Sequence, residues 1–504
     1  MRVNLVTEYL DETAQKFPDK PAFVGEEESL TFSQLRSSAL RIAHTLHKQN
    51  VVKKPVAILM NKSVKCIAAF FGTVYSGNFY TPIDSSMPSS RIEKILDTLN
   101  PAIIITSGDC ELAQSDLINK YSVLFYEKMV QEDGVDENAI LSIRHHMIDT
   151  DILYVLFTSG STGVPKGVII NHRSVIDFVE EVVEVFDINS GDSFGNQAPF
   201  YFDLSILDIF CTIKTGSTNY LIPERFFSFP ILLLQYLEEN AISIFCWAPS
   251  ALCLVANSKE LGKVPLKHLK KILFIGEAMP NKQLNMWREA YPEPLYANLY
   301  GPTEITHACT YYIVDREFKD SDSLPIGRPF RNTDILVLND DNELVEEGEI
   351  GELCVRGTSL AMGYYNNPEK TREVFTQNPL NNSYTEIIYR TGDLVKYNEQ
   401  GELLFLSRKD FQIKHKGYRI ELGEIETAVG SIKDVESCCC LYDDKKNKIV
   451  LFYTAGSELP DIKRQLKEMI PNYMIPGKIK KMDEMPMNIN GKIDRNQLKS
   501  LLSK

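Results

Sequence analysis

The run TSGSTGVPKG (158–167) brings together residues that hold anions, and it follows an apolar stretch at 153–157. Gly and other small residues let backbone N–H groups approach a phosphate closely. The Ser and Thr hydroxyls add donors, and Lys166 adds a positive charge. The spacing is neither the G-x-x-x-x-G-K-[ST] loop nor the G-x-G-x-x-G dinucleotide fingerprint. A flexible Ser/Gly linker would need neither the apolar run ahead of it nor the Pro-Lys-Gly end. Four further segments carry candidate chemistry: YGPTE (300–304), YRTGD (389–393), GYRIELGEIE (417–426) and NGKIDR (490–495). Glu304 is a carboxylate in a turn after an apolar strand, or else an ordinary acid at a helix start. Asp393 can accept from two ribose hydroxyls, or simply belong to a Thr-Gly-Asp turn. Lys492 is presented by an Asn-Gly turn; the other reading is a solvated lysine.

In this order the five segments resemble the signature of the adenylate-forming superfamily: acyl-CoA synthetases, firefly-type luciferases and the adenylation domains of peptide synthetases. They lie between residues 153 and 495, so the resemblance covers essentially the whole chain. It implies ATP and Mg²⁺ as cofactors. It assigns Ser159, Gly160, Ser161, Thr162, Gly163 and Lys166, with Gly276, Glu277, Asn298, Tyr300, Gly301 and Thr303, to the nucleotide. Tyr300 would stack on adenine, with Asn298 near the adenine amino group. Asp393 would hold the ribose, with Arg408 near ribose and phosphate, although Ser407-Arg408 stands where relatives usually have Gly-Arg. Glu304 is implied as the Mg²⁺ ligand, an oxygen donor as that ion requires, and it joins Thr158 and Lys492 as the catalytic residues. A mobile lysine that arrives only in the closed state would stabilise charge as a carboxylate attacks the α-phosphate. The resemblance makes Asp410 the hinge of a rotating C-terminal lobe, with Lys409 the alternative pivot.

Phe202-Asp203-Leu204-Ser205 points to a branch. In amino-acid-activating relatives this pattern sets an Asp opposite the substrate's α-ammonium, and a buried carboxylate is costly unless it meets a cation. Aligning outward implies a pocket of Asp203, Leu204, Leu207, Cys246, Leu273, Ile275, Leu299, His307 and Ala308, closed by Lys492. Its lining is mostly apolar and suits a small, medium or cyclic side chain. D-alanine-activating ligases usually have Cys where this chain has Ile275, and Cys246 and His307 are not usual in prolyl ligases. His307 is either a partner for a substrate hydroxyl or a packed helix residue. The expected activity is ATP-dependent adenylation of an amino acid of D-alanine or proline type. Thioester transfer to the phosphopantetheine of a carrier protein follows, as in nonribosomal peptide synthesis. The alternatives are an amino-aryl acid, such as a hydroxylated aminobenzoate, and an acyl-CoA ligase. Nine residues follow Arg495 and hold no L-G-G-x-S segment, so the carrier is expected to be a separate protein.

The elements that must position these residues are legible in outline. A chain of 504 residues exceeds one small core and implies two or more domains. Apolar runs at 56–60, 102–106, 242–248 and 271–276 alternate with helical patterns, which predicts α/β architecture with parallel sheets. From about 325, short strands between Gly, Asn and Asp turns predict a β-rich subdomain. Residues 410–504 carry 17 Lys and Arg against 14 Asp and Glu, a balance of +3 within a chain of −14, so the rest is −17. The expected division is an adenylation core at 1–408 and a small, mobile α+β lobe at 409–504. An acidic chain is a poor general nucleic-acid binder, and no run of about 18 apolar residues predicts a membrane span. Ten cysteines without a C-x-x-C pair and eight histidines without H-x-x-x-H fit free thiols in a reducing cytoplasm and no zinc site. Replacing Lys492 with Ala is expected to abolish pyrophosphate exchange while ATP binding, followed by titration calorimetry, largely survives.

Overall fold

The computed structural model describes residues 3–160, 163–409, 412–444, 446–456, 461–487 and 493–502. It divides into two units. One comprises Met1–Ser85, Leu99–Leu156 and Gly167–Lys409; the other comprises Ser86–Thr98, Phe157–Lys166 and Asp410–Lys504.

The first unit is built on two largely parallel sheets. One has the strand order Val123–Phe125, Ile103–Thr106, Pro55–Leu59, Phe79–Ile83, Ile152–Thr158 and Lys166–Asn171. Every residue of Pro55–Leu59, Phe79–Ile83 and Ile103–Thr106 is buried. Helices or neighbouring sheets cover both faces, so these strands are apolar almost without interruption. The apolar segment predicted as a helix between the first two is Val64–Tyr75.

The second sheet has nine strands and is parallel at its centre. Ser193–Asn196, Ile244–Trp247, Lys271–Ile275 and Leu295–Tyr300 lie side by side, with antiparallel strands at both edges. Side chains alternate across a sheet, and here the alternation separates two cores. Cys246, Leu273, Ile275, Ala297 and Leu299 face one core. Phe245, Trp247, Ile272, Phe274 and Tyr296 face the other. The register sets Cys246 beside Leu273, and Ile275 beside Leu299, on the first face. The apolar helix Leu204–Thr215 buries Leu207 in that same core and ends at Gly216, whose φ of 74° supplies the left-handed termination that glycine allows.

The predicted β-rich subdomain is a five-stranded sheet. It comprises Thr333–Leu338, Gly351–Gly357, Ile387–Tyr397, Phe375–Gln377 and Leu403–Arg408. Antiparallel pairing of Ile387–Tyr397 with Leu403–Arg408 sets Asp393 directly across from Arg408.

In the second unit a hairpin, Gln412–His415 with Tyr418–Glu421, leads into the helix Leu422–Gly430. Val435–Asp443 pairs antiparallel with Lys448–Ala455, which pairs parallel with Lys478–Lys481. Cys439 and Cys440 point into different cores, as strand alternation requires. A short helix, Ile462–Lys467, follows. The following residues close in turns before Pro471, because a proline disfavours helical backbone in the residue ahead of it. Among the described residues no helix is long and apolar enough to cross a membrane.

Gly327 has φ 81°, and a Cβ there would sit 1.9 Å from the Tyr311 carbonyl oxygen, between the two outer strands of the nine-stranded sheet. Gly327→Ala is expected to lower stability by about 2–4 kcal/mol, read as a lower urea midpoint with an unchanged m-value.

Candidate functional site

In the first unit the strand Leu295–Tyr300 delivers Asn298 and Tyr300, and the chain then turns sharply. The turn depends on Gly301, where a Cβ would lie 2.6 Å from both the Ala308 Cα and the His307 carbonyl oxygen. No side chain fits, so the two backbones meet. A single 3₁₀ turn, Thr303–Ile305, then presents Glu304, which is fully buried. The Tyr364 hydroxyl donates to Glu304 Oε1 at 2.7 Å, and the Ala361 N–H donates to the Glu304 carbonyl at 2.9 Å. A buried carboxylate needs such donors or a cation, and its oxygens are of the type a hard divalent ion takes.

Asp393 accepts from two sides. The Tyr300 hydroxyl donates to Oδ2 and the Arg408 guanidinium to Oδ1. Its own N–H donates to Thr391 Oγ1 at 3.0 Å. The carboxylate is therefore held between the nine-stranded and the five-stranded sheets of this unit. Burial, then the adjacent Asp393 charge, pushes the Tyr300 phenol well above its ordinary pKa, so it remains a neutral donor. The hydroxyl end of Tyr300 is thus occupied. Asn298 Nδ2 donates to the Pro325 carbonyl at 2.8 Å, which leaves its amide oxygen as the acceptor that a base amino group requires. Gly276 has φ 104°, a backbone angle that favours glycine. The Glu277 carboxylate accepts the Ser250 N–H at 2.9 Å, in the first turn of the helix Pro249–Ala256.

The apolar lining anticipated for a substrate is brought together. Leu207, Cys246, Leu273, Ile275, Leu299 and Ala308 share one core, and the half-buried Leu204 packs on it. Half-buried Asp203 stands at the start of the helix Leu204–Thr215, and its side chain does not cap that helix. Its charge reaches Tyr154, Cys246 and His307. The Cys246 thiol is driven well above its ordinary pKa by burial first and then by Asp208, so it is a neutral lining group rather than a nucleophile.

One reading of His307 is corrected. It is not a helix residue, because Thr306 and His307 have φ values of 55° and 72°. Consecutive left-handed residues cannot continue a right-handed helix. The turn forced by Gly301 holds them instead, with Thr306 Oγ1 donating to the Ser359 carbonyl at 2.8 Å.

Several groups at the site were not singled out from the sequence. Tyr364, which holds Glu304, lies in an unremarked Gly-Tyr-Tyr run. The Tyr154 hydroxyl is buried without a hydrogen-bond partner among the described residues, and it was hidden within an apolar strand. Asp208 is fully buried, accepts from Asn196 Nδ2 at 2.9 Å, and is pushed up to about 7 chiefly by burial. Lys62 nearby is pushed down to about 7, also by burial, and donates to the Asn196 and Gln197 carbonyls. An acid inside the apolar run LSILDIF was the available signal.

The glycine-rich loop belongs to the second unit. Gly160 has no room for a side chain, since a Cβ would lie 2.0 Å from the Val164 carbonyl oxygen. The Gly163 N–H closes the turn onto the Gly160 carbonyl at 3.0 Å, with φ 77° at Gly163. Ser159 Oγ donates to the Arg419 carbonyl at 2.9 Å, and Lys166 Nζ lies 3.6 Å from Glu421. The Thr158 hydroxyl is buried and has no partner among the described residues. Ser161, Thr162, Asp410 and Lys492 lie outside the described residues.

The family model for AMP-binding enzymes matches residues 10–365, and that for the AMP-binding enzyme C-terminal domain matches residues 424–492. The chain is 31% identical over 505 residues to zwittermicin A synthase ZmaJ of Bacillus cereus, covering 98% of this chain and 94% of that protein. It is 33% identical over 511 residues to a D-alanine–D-alanyl carrier protein ligase of Bacillus licheniformis, covering 98% of each. The crystal structure of IdnL1 matches with a TM-score of 0.83 at 25% identity, over 96% of this chain and 100% of that one.

Tyr364→Phe keeps the ring and deletes the donor to Glu304. A hydrogen bond to a buried charge contributes about 1.5–3 kcal/mol, so calorimetric affinity for ATP with Mg²⁺ is expected to fall roughly 10- to 100-fold.

Proposed function

The chain belongs to the AMP-binding enzyme family, and from that premise we propose that it is an AMP-forming ligase that adenylates an amino acid and passes it to a carrier protein. In the first half-reaction the amino acid's carboxylate attacks the α-phosphate of ATP and pyrophosphate leaves. In the second, a phosphopantetheine thiol on a separate carrier attacks the acyl adenylate, forming a thioester and releasing AMP. Asp393 and Arg408 bind the ribose side, Tyr300 stacks on the base and Asn298 accepts from it. Glu304 holds Mg²⁺, which neutralises phosphate charge when bound. Ser159, Gly160, Ser161, Thr162, Gly163 and Lys166 enclose the phosphates with Thr158. Lys492 stabilises the charge that develops during transfer. Residues 1–408 form the adenylation core, and 409–504 form a lobe that turns about Asp410. The enzyme works in the cytoplasm.

The observation that carries the amino-acid reading is Asp203. It is a carboxylate at the head of an apolar helix, and its charge reaches the buried Cys246 and His307. Set among largely apolar lining, it would supply the counter-charge for a substrate's α-ammonium. The near full-length similarity to a carrier protein ligase supports transfer to a carrier.

ATP–pyrophosphate exchange tests this. Exchange is expected to depend on an amine-bearing acid, and its deaminated counterpart should be at least about a hundredfold poorer, the scale of an unpaired buried charge. Equal exchange with both acids would overturn the assignment.

A further inference from the structure

Resting on the amino-acid adenylation reading, we propose that Lys62 and Asp208 are positioning residues for Asp203. From its two ends they pin the segment 196–208, and so fix where the Asp203 carboxylate meets the substrate's ammonium.

Lys62 lies in the loop between the strand Pro55–Leu59 of the six-stranded sheet and the helix Val64–Tyr75. Its Nζ reaches the nine-stranded sheet where the strand Ser193–Asn196 ends. There it donates to two successive carbonyls, Asn196 at 3.3 Å and Gln197 at 3.2 Å. The same ammonium lies 5.6 Å from the centre of the Phe200 ring, within cation–π range. Phe200 in turn meets Phe70 edge-on, 5.7 Å between centroids, in the helix that follows Lys62. One side chain thus holds positions 196, 197 and 200, and Asp203 comes three residues later. Short turns relay the hold. The Phe202 N–H donates to the Pro199 carbonyl at 3.1 Å, Ser205 Oγ to the Phe202 carbonyl at 2.8 Å, and the Ile206 N–H to the Asp203 carbonyl at 2.9 Å.

Asp208 closes the segment from its other end. It sits in the helix that Asp203 begins, and it accepts from Asn196 Nδ2 at 2.9 Å. Asn196 therefore bridges the two charged groups, its carbonyl on Lys62 and its amide on Asp208. Burial pushes Asp208 up and Lys62 down, each to about 7, and the opposite charge of the other resists both shifts; Glu224 adds to the hold on Lys62. Such an arrangement is a poor source of stability, because packed apolar residues serve as well. It also leaves Asp208 Oδ1, Asn196 Oδ1 and Gln197 Oε1 buried without partners among the described residues. What it does supply is a defined geometry, since hydrogen bonds weaken steeply away from their preferred distances and angles. Asp203 is the acid in this segment whose charge reaches the substrate lining at Cys246 and His307. Misplacing a reacting or binding group by about 1 Å costs on the order of a hundredfold.

The test is ATP–pyrophosphate exchange on the full-length protein, using the best substrate among the proteinogenic amino acids and D-alanine, and that amino acid's deaminated counterpart. The readout is the ratio of the two kcat/KM values, which measures how well Asp203 meets the ammonium. Lys62→Met keeps the stem and removes the ammonium. It is expected to lower the ratio at least about tenfold, through a higher KM for the amino acid, while the KM for ATP stays within about twofold. Asp208→Asn, nearly isosteric, removes only the charge and should lower the ratio in the same sense. A ratio unchanged in both variants would overturn the proposal, and so would equal rises in the KM for ATP and for the amino acid, the mark of a merely structural role. If Lys62→Met fails to fold, Asp208→Asn decides. A wild-type protein that does not prefer the amine-bearing acid would sink the amino-acid reading, and this inference with it; an unchanged ratio in the variants leaves that reading standing.

Discussion

The carboxylate of Asp393 joins two sheets of the first unit. One oxygen meets the Tyr300 hydroxyl, from the central region of the nine-stranded sheet. The other meets Arg408, from the neighbouring strand of the five-stranded sheet. Burying a carboxylate is expensive, and burying it with one partner removed is worse than not burying it at all. The arrangement therefore works as a condition on assembly: the two sheets must meet correctly before the charge is satisfied. The same contact fixes the Tyr300 ring, because its hydroxyl end cannot swing without unpairing the acid.

A second constraint acts through backbone. With no side chain at Gly301, the chain passes close to His307 and Ala308, and the approach keeps Thr306 and His307 in left-handed backbone. That turn places Glu304 on one side and His307 on the other. Glu304 and His307 are therefore coupled by a few bonds of main chain. The alternation of the nine-stranded sheet does the rest. It turns Cys246, Leu273, Ile275 and Leu299 toward the helix that Asp203 begins, while the large aromatic residues on the opposite face form a separate core.

The motif residues were legible because their chemistry requires particular types at short spacing. A phosphate loop needs Gly and Ser close together, and Glu304 must follow its strand directly. The supporting residues were not legible, because they come from distant stretches of chain and carry no local pattern. Tyr364 reaches Glu304 across 60 positions. Tyr154 is one more aromatic residue in an apolar strand. Lys62, Asn196 and Asp208 form a polar cluster only after helix and strand ends have packed together. The helical alternative for His307 failed for a related reason: local propensity says nothing of the close backbone approach that Gly301 permits six residues earlier.

By itself the sequence determined the α/β class, the β-rich subdomain and the family, since periodicity and short motifs are local properties of the chain. Only the tertiary structure decided which polar atoms are satisfied and which are left over. It assigned the proton of His307 to Nδ1, committed Asn298 to the Pro325 carbonyl, and held Asp393 between Tyr300 and Arg408. The physical reason is that a hydrogen bond depends on distance and direction between groups far apart in sequence.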